Sequence, residues 1–409
     1  MIRIIFTTLL ILLLANYIYA QIGGCTDLNA NNYNAQATFN DGSCTYDPVI
    51  IDPLTSWNLP DNVLETSGLI IWEDKIWTHN DDTDINIYAF NPEDAFNNQE
   101  YPMTGTVNVD WEEISHDSKY IYLGDFGNNS SGNRTELHIL RIEKESVLTN
   151  TPVIDTIEFS YSLQTDLNPS EPNQTDFDCE AFVVTSDSIY LFTKEWISNK
   201  SSIYSLPKIP GEYVAKFQSS YNVDGLITGA TYLEANDVIV LCGYSAVLQP
   251  FLYLLYDFNN NLFFDGNKRK ILLDLMFHQV EGICTEDGLV YYLSNEKIAQ
   301  TITIDQKLHK VDLTDYLEDY LTSVKADVER QSEFIEVYPN PSRGLLFIKS
   351  SSPFNELRYK ISDMSGKTIL KGEFTRQDIQ MDIKNIKKGT YILTVISPTD
   401  SVVKKIIKN

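Results

Sequence analysis

Apolar residues fall in short runs along most of the chain, separated by clusters of Asp, Asn, Gly and Ser. This pattern predicts strands joined by turns rather than helices. Between Leu54 and Leu313 the pattern repeats. A first run reads TSGLIIW from Thr66, WEEIS from Trp111, CEAFVV from Cys179, TGATYL from Thr228 and EGICT from Glu281. About nine or ten residues later comes a second: KIWTHND, YIYLGDF, IYLFTKE, VIVLCGY and VYYLSNE. A third has a shared shape: INIYAFN, ELHILRI, SIYSLPK, FLYLLYD and KLHKVDL. Each unit is then a small meander that buries its faces only against neighbours, and a spacing of roughly 45 to 70 residues is that of β-propeller blades. Five units are present, and the long stretch from Glu112 to Glu180 leaves room for a sixth. Asp47 to Pro60 is placed to lend a strand that closes the ring. A sandwich of the same strands is the alternative.

The pattern changes at both ends. Beyond a charged connector, residues 317–333, short apolar runs (LLFI, YKIS, YILTVI, VVKKII) alternate with turns at Pro339-Asn340-Pro341, Gly366 and Lys388-Gly389. That predicts a small β-sandwich over 334–409. At the other end, Arg3, an apolar run from Ile4 to Ala15 and the small Ala20 make residues 1–20 an export signal, too short and too early for a convincing spanning helix. No later run approaches the length of a membrane span, so none is expected in the mature chain.

Composition sharpens this division. A chain of 409 residues with 43% hydrophobic and 12% aromatic residues can bury more than one core, and its side chains suit pleated surfaces. Its net charge of −26 argues against nucleic acid or an anionic membrane as partner and favours cations. The C-terminal segment runs the other way, with thirteen Lys/Arg against seven Asp/Glu from Phe334 onward, which marks a module boundary.

Between the signal and the repeats, residues 21–47 are crowded with Asn and Asp and nearly empty of aliphatics. Such a segment cannot fold around a core. A Cys25–Cys44 disulfide would staple it, a loop closure worth roughly 3 kcal/mol. Asp27, Asn29, Asn31 and Asp41 offer hard oxygens suited to Ca²⁺, although the ligand ladder of an EF-hand is absent; alternatively these residues serve turns in a stapled spacer. The segment resembles the GCTD…NYN…DDGSC repeats of secreted Bacteroidetes proteins. Cys179, Cys242 and Cys284 have no zinc-type spacing, and their pairing stays open.

Two further resemblances extend the reading. Ser67-Gly68-Leu69, Asp110 to Ile114 (DWEEI) and Leu123 to Asn129 (LGDFGNN) resemble segments of secreted Bacteroidetes propellers akin to the SdiA-regulated and phytase-esterase-like families, which speaks to fold more than to activity. Tyr338, Pro339, Asn340, Pro341, Gly344, Asp363, Gly366, Gly389, Tyr391, Lys404 and Lys405 look like the type A sorting domain of the type IX secretion system. That resemblance implies export through the periplasm, transfer across the outer membrane by the type IX machinery, removal of the domain, and release or attachment at the cell surface.

Aligning the unit starts puts Ser67, Glu112, Glu180, Thr228 and Glu281 at one position of the innermost strand, facing the axis. Three carboxylates there would hold a hard cation, Ca²⁺ by its oxygen preference, or else tie neighbouring blades through backbone N–H groups. His79, Asn80, Asp81, Asp125, Asn128, Lys194, Glu195, Asn295 and Glu296 end the second strands and would form a polar, acidic face for a glycan, peptide or cation, or be ordinary turn residues. Catalytic signatures such as GxSxG, HExxH or a P-loop are missing. The chain reads as an exported recognition protein; the alternative is a glycoside or phosphoester hydrolase using axial carboxylates.

Overall fold

The computed structural model describes residues 21–81, 83–299, 303–333, 335–350, 357–364, 366–374, 378–396 and 401–409. The expected export signal, residues 1–20, lies outside the described residues. The described residues form two compact units that divide between Leu313 and Thr314.

The first unit is a five-bladed β-propeller. From the axis outward, blade 1 comprises Thr66–Trp72, Lys75–Asn80, Asn86–Asn91 and Asp94–Pro102, all antiparallel. Blade 2 comprises Trp111–His116, Tyr120–Asp125, His138–Glu143 and Ile154–Tyr161. Blade 3 comprises Asp178–Val184, Ser188–Lys194, Ser201–Pro207 and Gly211–Tyr221. Blade 4 comprises Leu226–Leu233, Val238–Tyr244, Pro250–Tyr256 and Asn267–Leu273. Blade 5 has Val280–Thr285, Val290–Asn295 and Lys307–Asp312, and takes its outer strand, Thr55–Asn58, from before blade 1. The innermost strands touch in the cyclic order 1-2-3-4-5-1, so the borrowed strand closes a ring. A closed ring excludes the sandwich, and the stretch that left room for a sixth blade contains a short helix, Lys144–Leu148, and a long loop instead.

The repeat dictates this packing. Second strands are buried on both faces because each blade is covered by two neighbours: Trp77, Ile121 and Leu123 meet between blades 1 and 2, Phe182 and Leu191 between 2 and 3, and Phe192, Leu241 and Phe251 between 3 and 4. The fourth strands of blades 1 to 4 carry no continuous apolar run, because they are largely exposed, as in DAFNNQEYP, or alternate, as in IDTIEFSY, with one face in water. Three outer edges are covered. The outer strands of blades 2 and 3 pair in parallel, and Ile50–Ile51 pairs in parallel with blade 4.

The cysteine segment is docked within this unit. Cys25 and Cys44 are disulfide-bonded. Thr26 Oγ1 donates to Asp257 at 2.6 Å, Asn40 Nδ2 donates to Asp257 and Asn267, and the Tyr46 and Tyr256 hydroxyls both donate to Asp27 Oδ2. The segment is a fixed flank of blade 4.

The second unit starts with a helix, Thr314–Glu333, where a connector was expected. The reason is visible in the sequence: no Gly or Pro interrupts it, and Leu317, Leu321, Val324 and Val328 recur at helical spacing. Two sheets follow. One contains Ile335–Tyr338, Leu345–Ser350 and Asp378–Asp382; the other contains Thr368–Phe374, Leu357–Asp363, Gly389–Ile396 and Ser401–Lys408. Leu346, Ile348, Ile361, Leu393 and Ile406 form their common core.

Candidate functional site: an acidic channel mouth

Every innermost strand carries a β-bulge near the axis. Register slips across Glu112, Glu180, Thr228 and Glu281 in blades 2 to 5, and between Ser67 and Ile70 in blade 1. In blades 2 to 5 the aligned position is thus the extra residue of a bulge, which re-aims its side chain, whereas in blade 1 Ser67 pairs with His79 directly before the slip. Its chemistry splits by blade. Ser67 Oγ donates to Glu112 O and Thr228 Oγ1 to Val280 O, both at 2.5 Å, so the hydroxyls tie each blade to the next. The glutamates do something else.

Glu112, Asp178 and Glu180 form a deep triad whose carboxylate oxygens lie within 4.8 Å of one another. They are 5%, 0% and 3% exposed. Asp178 accepts from Asn128 N at 2.6 Å and Trp196 Nε1 at 2.7 Å, and Lys194 Nζ lies 2.7 Å from Glu180 Oε2. Burial pushes Glu112 and Glu180 well above the usual carboxylate range; the Glu180 charge adds to this at Glu112, while at Glu180 the Lys194 ammonium opposes it. Burial also lifts Asp110, beside the triad, to about 6. For Lys194 burial disfavours the charge, yet Glu180 and its acidic neighbours outweigh that and raise the ammonium well above its ordinary value. Gly127 makes room: a Cβ there would sit 2.1 Å from Glu112 Oε1 and 2.3 Å from Asp110 Oδ2.

Glu65, Asp81 and Glu296 form an outer triad on blades 5 and 1, half-exposed, again within 4.8 Å. Gln279 Nε2 donates to Glu296 Oε1 at 2.5 Å. Burial, then the charges of Glu281, Asp81 and Glu65, hold Glu296 well above its ordinary value. The charge of Glu281 raises both Glu180 and Glu296, and the Lys194 ammonium opposes its own rise. Glu281 is 6% exposed, its Oε2 is buried without a hydrogen-bond partner among the described residues, and burial lifts it to about 7.

The residues expected to form a polar face are mostly buried. His79, Asn80, Asp125, Asn128, Lys194 and Asn295 lie under the loops, and Asp81 and Glu296 stay half-exposed. Asn80 Nδ2 donates to Asn62 O and Asp84; Asp125 pairs with Arg134 at 2.7 Å; Asn295 Oδ1 meets His309 Nε2 at 2.8 Å. Burial holds His79 down to about 4. These side chains organise loops because the second strands end beneath them. Asp27 and Asp41 are drawn into turns and docking: Asp27 Oδ1 accepts from Asn29 N, Asp41 Oδ1 from Ser43 N, and neither belongs to a carboxylate triad among the described residues.

Sequence reasoning missed Asp178, Asp110, Glu65 and Glu113. Asp178 and Asp110 sit two residues before an aligned glutamate, on the same side of a bulged strand, and that spacing was a usable signal. Glu113 is fully buried; its Oε2 accepts from Ala230 N at 2.7 Å, so it reaches from blade 2 across the axis to blade 4. Gly68, at φ +55°, admits it: a Cβ there would lie 2.5 Å from Glu113 Oε1.

In the C-terminal unit, Tyr338 stacks on Phe347, and Asn340 clamps the last strand by donating to Lys405 O and accepting from Ile407 N, both at 2.8 Å. Tyr391 donates to Lys387 O, and Gly366 has φ +82°. The YPNP segment and the Lys-rich terminus, distant in sequence, are thus one structural feature.

Residues 336–409 match the family described as the secretion system C-terminal sorting domain. The chain is therefore a β-propeller protein carrying a type IX sorting signal, secreted to the cell surface or beyond. Among the described residues no helix is long and apolar enough to cross a membrane. Similar solved structures include PorZ, described as a bacterial surface component of the type-IX secretion system of Porphyromonas gingivalis, at 11% identity and TM-score 0.30, covering 84% of this chain; the chain spans 45% of PorZ. An exo-β-1,3-galactanase from Phanerochaete chrysosporium is similar at 9% identity and TM-score 0.40, covering 91% of this chain and 98% of its own. A GH32 β-fructofuranosidase of Bombyx mori is similar at 9% and 0.35, covering 86% and 87%. None of these likenesses bears on function. No curated protein matches the chain.

Proposed function

We propose that the propeller is an extracellular recognition module whose binding face is the acidic channel mouth, and that a hard cation, Ca²⁺, sits among the mouth carboxylates. One observation carries this reading: Glu112, Asp178, Glu180 and Glu281 crowd the axis, Glu281 keeps a buried oxygen without a partner, and Lys194 supplies the positive charge at salt-bridge distance. Buried carboxylates in such excess take up protons or a metal ion. Kinship with the SdiA-regulated and phytase-esterase-like propellers belongs to the same proposal, since Gly68, Glu112, Glu113 and Gly127, all in the resembling segments, stand around this axis. The ligand would be a glycan, peptide or cation-bridged anion met outside the cell, with the protein released or attached at the surface.

Hydrolysis fits less well. A glycosidase sets its two carboxyl groups about 5–9.5 Å apart with the sugar between them. Here the deep triad is closer together and sealed, at 0–5% exposure. The test is calorimetric titration of Ca²⁺ into the metal-stripped full chain and its Glu112→Gln/Glu180→Gln/Glu281→Gln variant. Saturable binding lost in the variant supports the reading; no binding by the unmodified chain sinks it. Turnover of chromogenic glycosides or phosphoesters that Glu180→Gln abolishes would favour the hydrolase.

A further inference from the structure

Blade 5 differs from the other blades in taking its outer strand, Thr55–Asn58, from before blade 1, and that junction assembles side chains the channel carboxylates do not use. Ser56 stands directly opposite His309 on Lys307–Asp312. Ser56 is exposed, whereas His309 and Asn295 are 1% and 0% exposed. Ser56 Oγ lies 2.7 Å from His309 Nδ1, and His309 Nε2 lies 2.8 Å from Asn295 Oδ1. A hydroxyl, an imidazole and a group that orients the imidazole are thus linked in a chain drawn from three strands.

The hydrogen bonds fix where the protons sit. Asn295 Nδ2 donates to Glu296 O at 2.8 Å and to Asp305 O at 3.1 Å, so its Oδ1 is the atom turned to His309. An amide oxygen only accepts, so His309 Nε2 carries the ring proton and Nδ1 keeps a lone pair. Ser56 then donates to Nδ1. Burial, followed by the charges of His278 and Lys307, holds His309 down to about 3, so the ring is a neutral acceptor at ordinary pH. His278 packs edge-on to it at 5.4 Å between centroids, while its own Nδ1 donates to Leu275 O at 3.0 Å. The ring is therefore oriented from two sides.

The strand also supplies a donor beside the hydroxyl. Leu59 N donates to Gln306 O at 3.1 Å, which continues the register of the Ser56–His309 ladder without a slip. Hydrogen-bonded pairs alternate along an antiparallel ladder, so Leu59 and Trp57 turn their N–H groups toward blade 5 and Ser56 turns its own outward. Among the described residues no strand pairs with that edge. The Ser56 N–H is open to an acyl oxygen held next to Oγ.

We propose that Ser56 and His309, with Asn295 as the positioning residue, form a catalytic site at the outer strand of blade 5, where Ser56 Oγ is a nucleophile toward carboxylic esters. This goes beyond the recognition reading and does not depend on it. Oγ bonds to the ester carbonyl carbon as its proton passes to Nδ1; the C–O bond to the alcohol breaks, and the departing alkoxide takes that proton. Water then adds to the acyl-serine and gives a proton to Nδ1, and the carboxylic acid leaves as Oγ recovers the proton. A base this weak assists proton removal modestly, which suits an ester, more electrophilic and better at losing its alkoxide than an amide is at losing its amine.

The experiment treats the full chain, in metal-free buffer, with an alkyl fluorophosphonate, maps the modified peptide by mass spectrometry, and follows hydrolysis of p-nitrophenyl acetate. Ser56→Ala, His309→Gln and Asn295→Asp are compared, with circular dichroism to check folding. The expected result is phosphonylation at Ser56, ester hydrolysis at least about tenfold slower in Ser56→Ala, and labelling at least about tenfold slower in His309→Gln. In Asn295→Asp the carboxylate makes the ring more basic, so the pH below which labelling fails moves upward; an unmoved profile overturns the role given to Asn295. No label on Ser56 overturns the proposal. Labelling at an equal rate in His309→Gln also overturns it, since Ser56 would then be an ordinary hydroxyl tying the borrowed strand to a structural histidine. Should the His309 or Asn295 variant not fold, Ser56→Ala decides alone: hydrolysis that survives it overturns the proposal. Because no metal is present, failure here leaves the cation-assisted recognition reading standing.

Discussion

Blades 1 and 4 and blades 2, 3 and 5 meet the same structural problem at the axis with different side chains. All five have a bulged innermost strand. Ser67 and Thr228 answer it with a short hydroxyl that ties the next blade and leaves no charge to compensate. Glu112, Glu180 and Glu281 place carboxylates at that position and need Lys194, protons or a cation to exist there. Because a hydroxyl suffices at this position in blades 1 and 4, three buried glutamates there are what the proposed cation site would require and what a plain blade joint would not.

That contrast can be broken in several places. The largest effect is expected from Glu113→Ala, which strips the acceptor from Ala230 N and Ile114 N at the centre of the ring. Urea unfolding should show a loss of about 3 kcal/mol; a loss below about 1 kcal/mol would mean that the cross-axis tie is not structural. Next is Glu281→Thr, which gives blade 5 the side chain of blade 4. Glu281 is lifted from 4.5 to about 7, so the folded state holds its proton where the unfolded state has released it. The associated stability is complete below the unfolded value and is lost as pH rises through about 7, a difference of about 3 kcal/mol. In metal-free solution at about pH 8 the variant should therefore be more stable than the parent, and less stable than the parent when Ca²⁺ is present. Thr228→Val and Ser67→Ala come third, each costing about 1 kcal/mol with Ca²⁺ affinity unchanged. A change in affinity comparable to that of the glutamate variants would erase the distinction between the two kinds of blade. The smallest effect concerns His79, held to about 4 by burial, so that stability falls as pH drops from about 6.5 toward 4. His79→Gln should flatten that acid limb in a pH series of thermal melts.

The hydrophobic pattern exposed the propeller well, because the first three strands of every blade are buried and their runs repeat in register with the packing. Asp47 to Pro60 was legible as the closing strand from its place ahead of the first unit, since Thr55–Asn58 itself is mostly exposed. The outer strands were not, since DAFNNQEYP and its counterparts face water on one side and carry no continuous apolar signal. Alignment of the unit starts found Glu112, Glu180 and Glu281, but a one-dimensional alignment sees one position per blade. It could not see that the bulge turns Asp178 to the same point, that Lys194 reaches in from a second strand, or that Glu281 neighbours Glu296. The polar ends of the second strands read as a surface because polarity alone does not reveal the loops of Asn62, Arg134 and Asp305 folded over them. The sorting domain was legible for another reason: its turn residues and basic terminus are set down in linear order, and folding only brings Asn340 to Ile407.

The most direct test of a cation among the bulge carboxylates is the melting temperature of the metal-stripped full chain at about pH 8, with and without excess Ca²⁺, beside Glu281→Thr. The account predicts that Ca²⁺ raises the melting temperature of the unmodified chain and leaves that of the variant unchanged. Equal melting of the unmodified chain with and without Ca²⁺ would contradict it and reduce the three glutamates to buried, protonated blade ties.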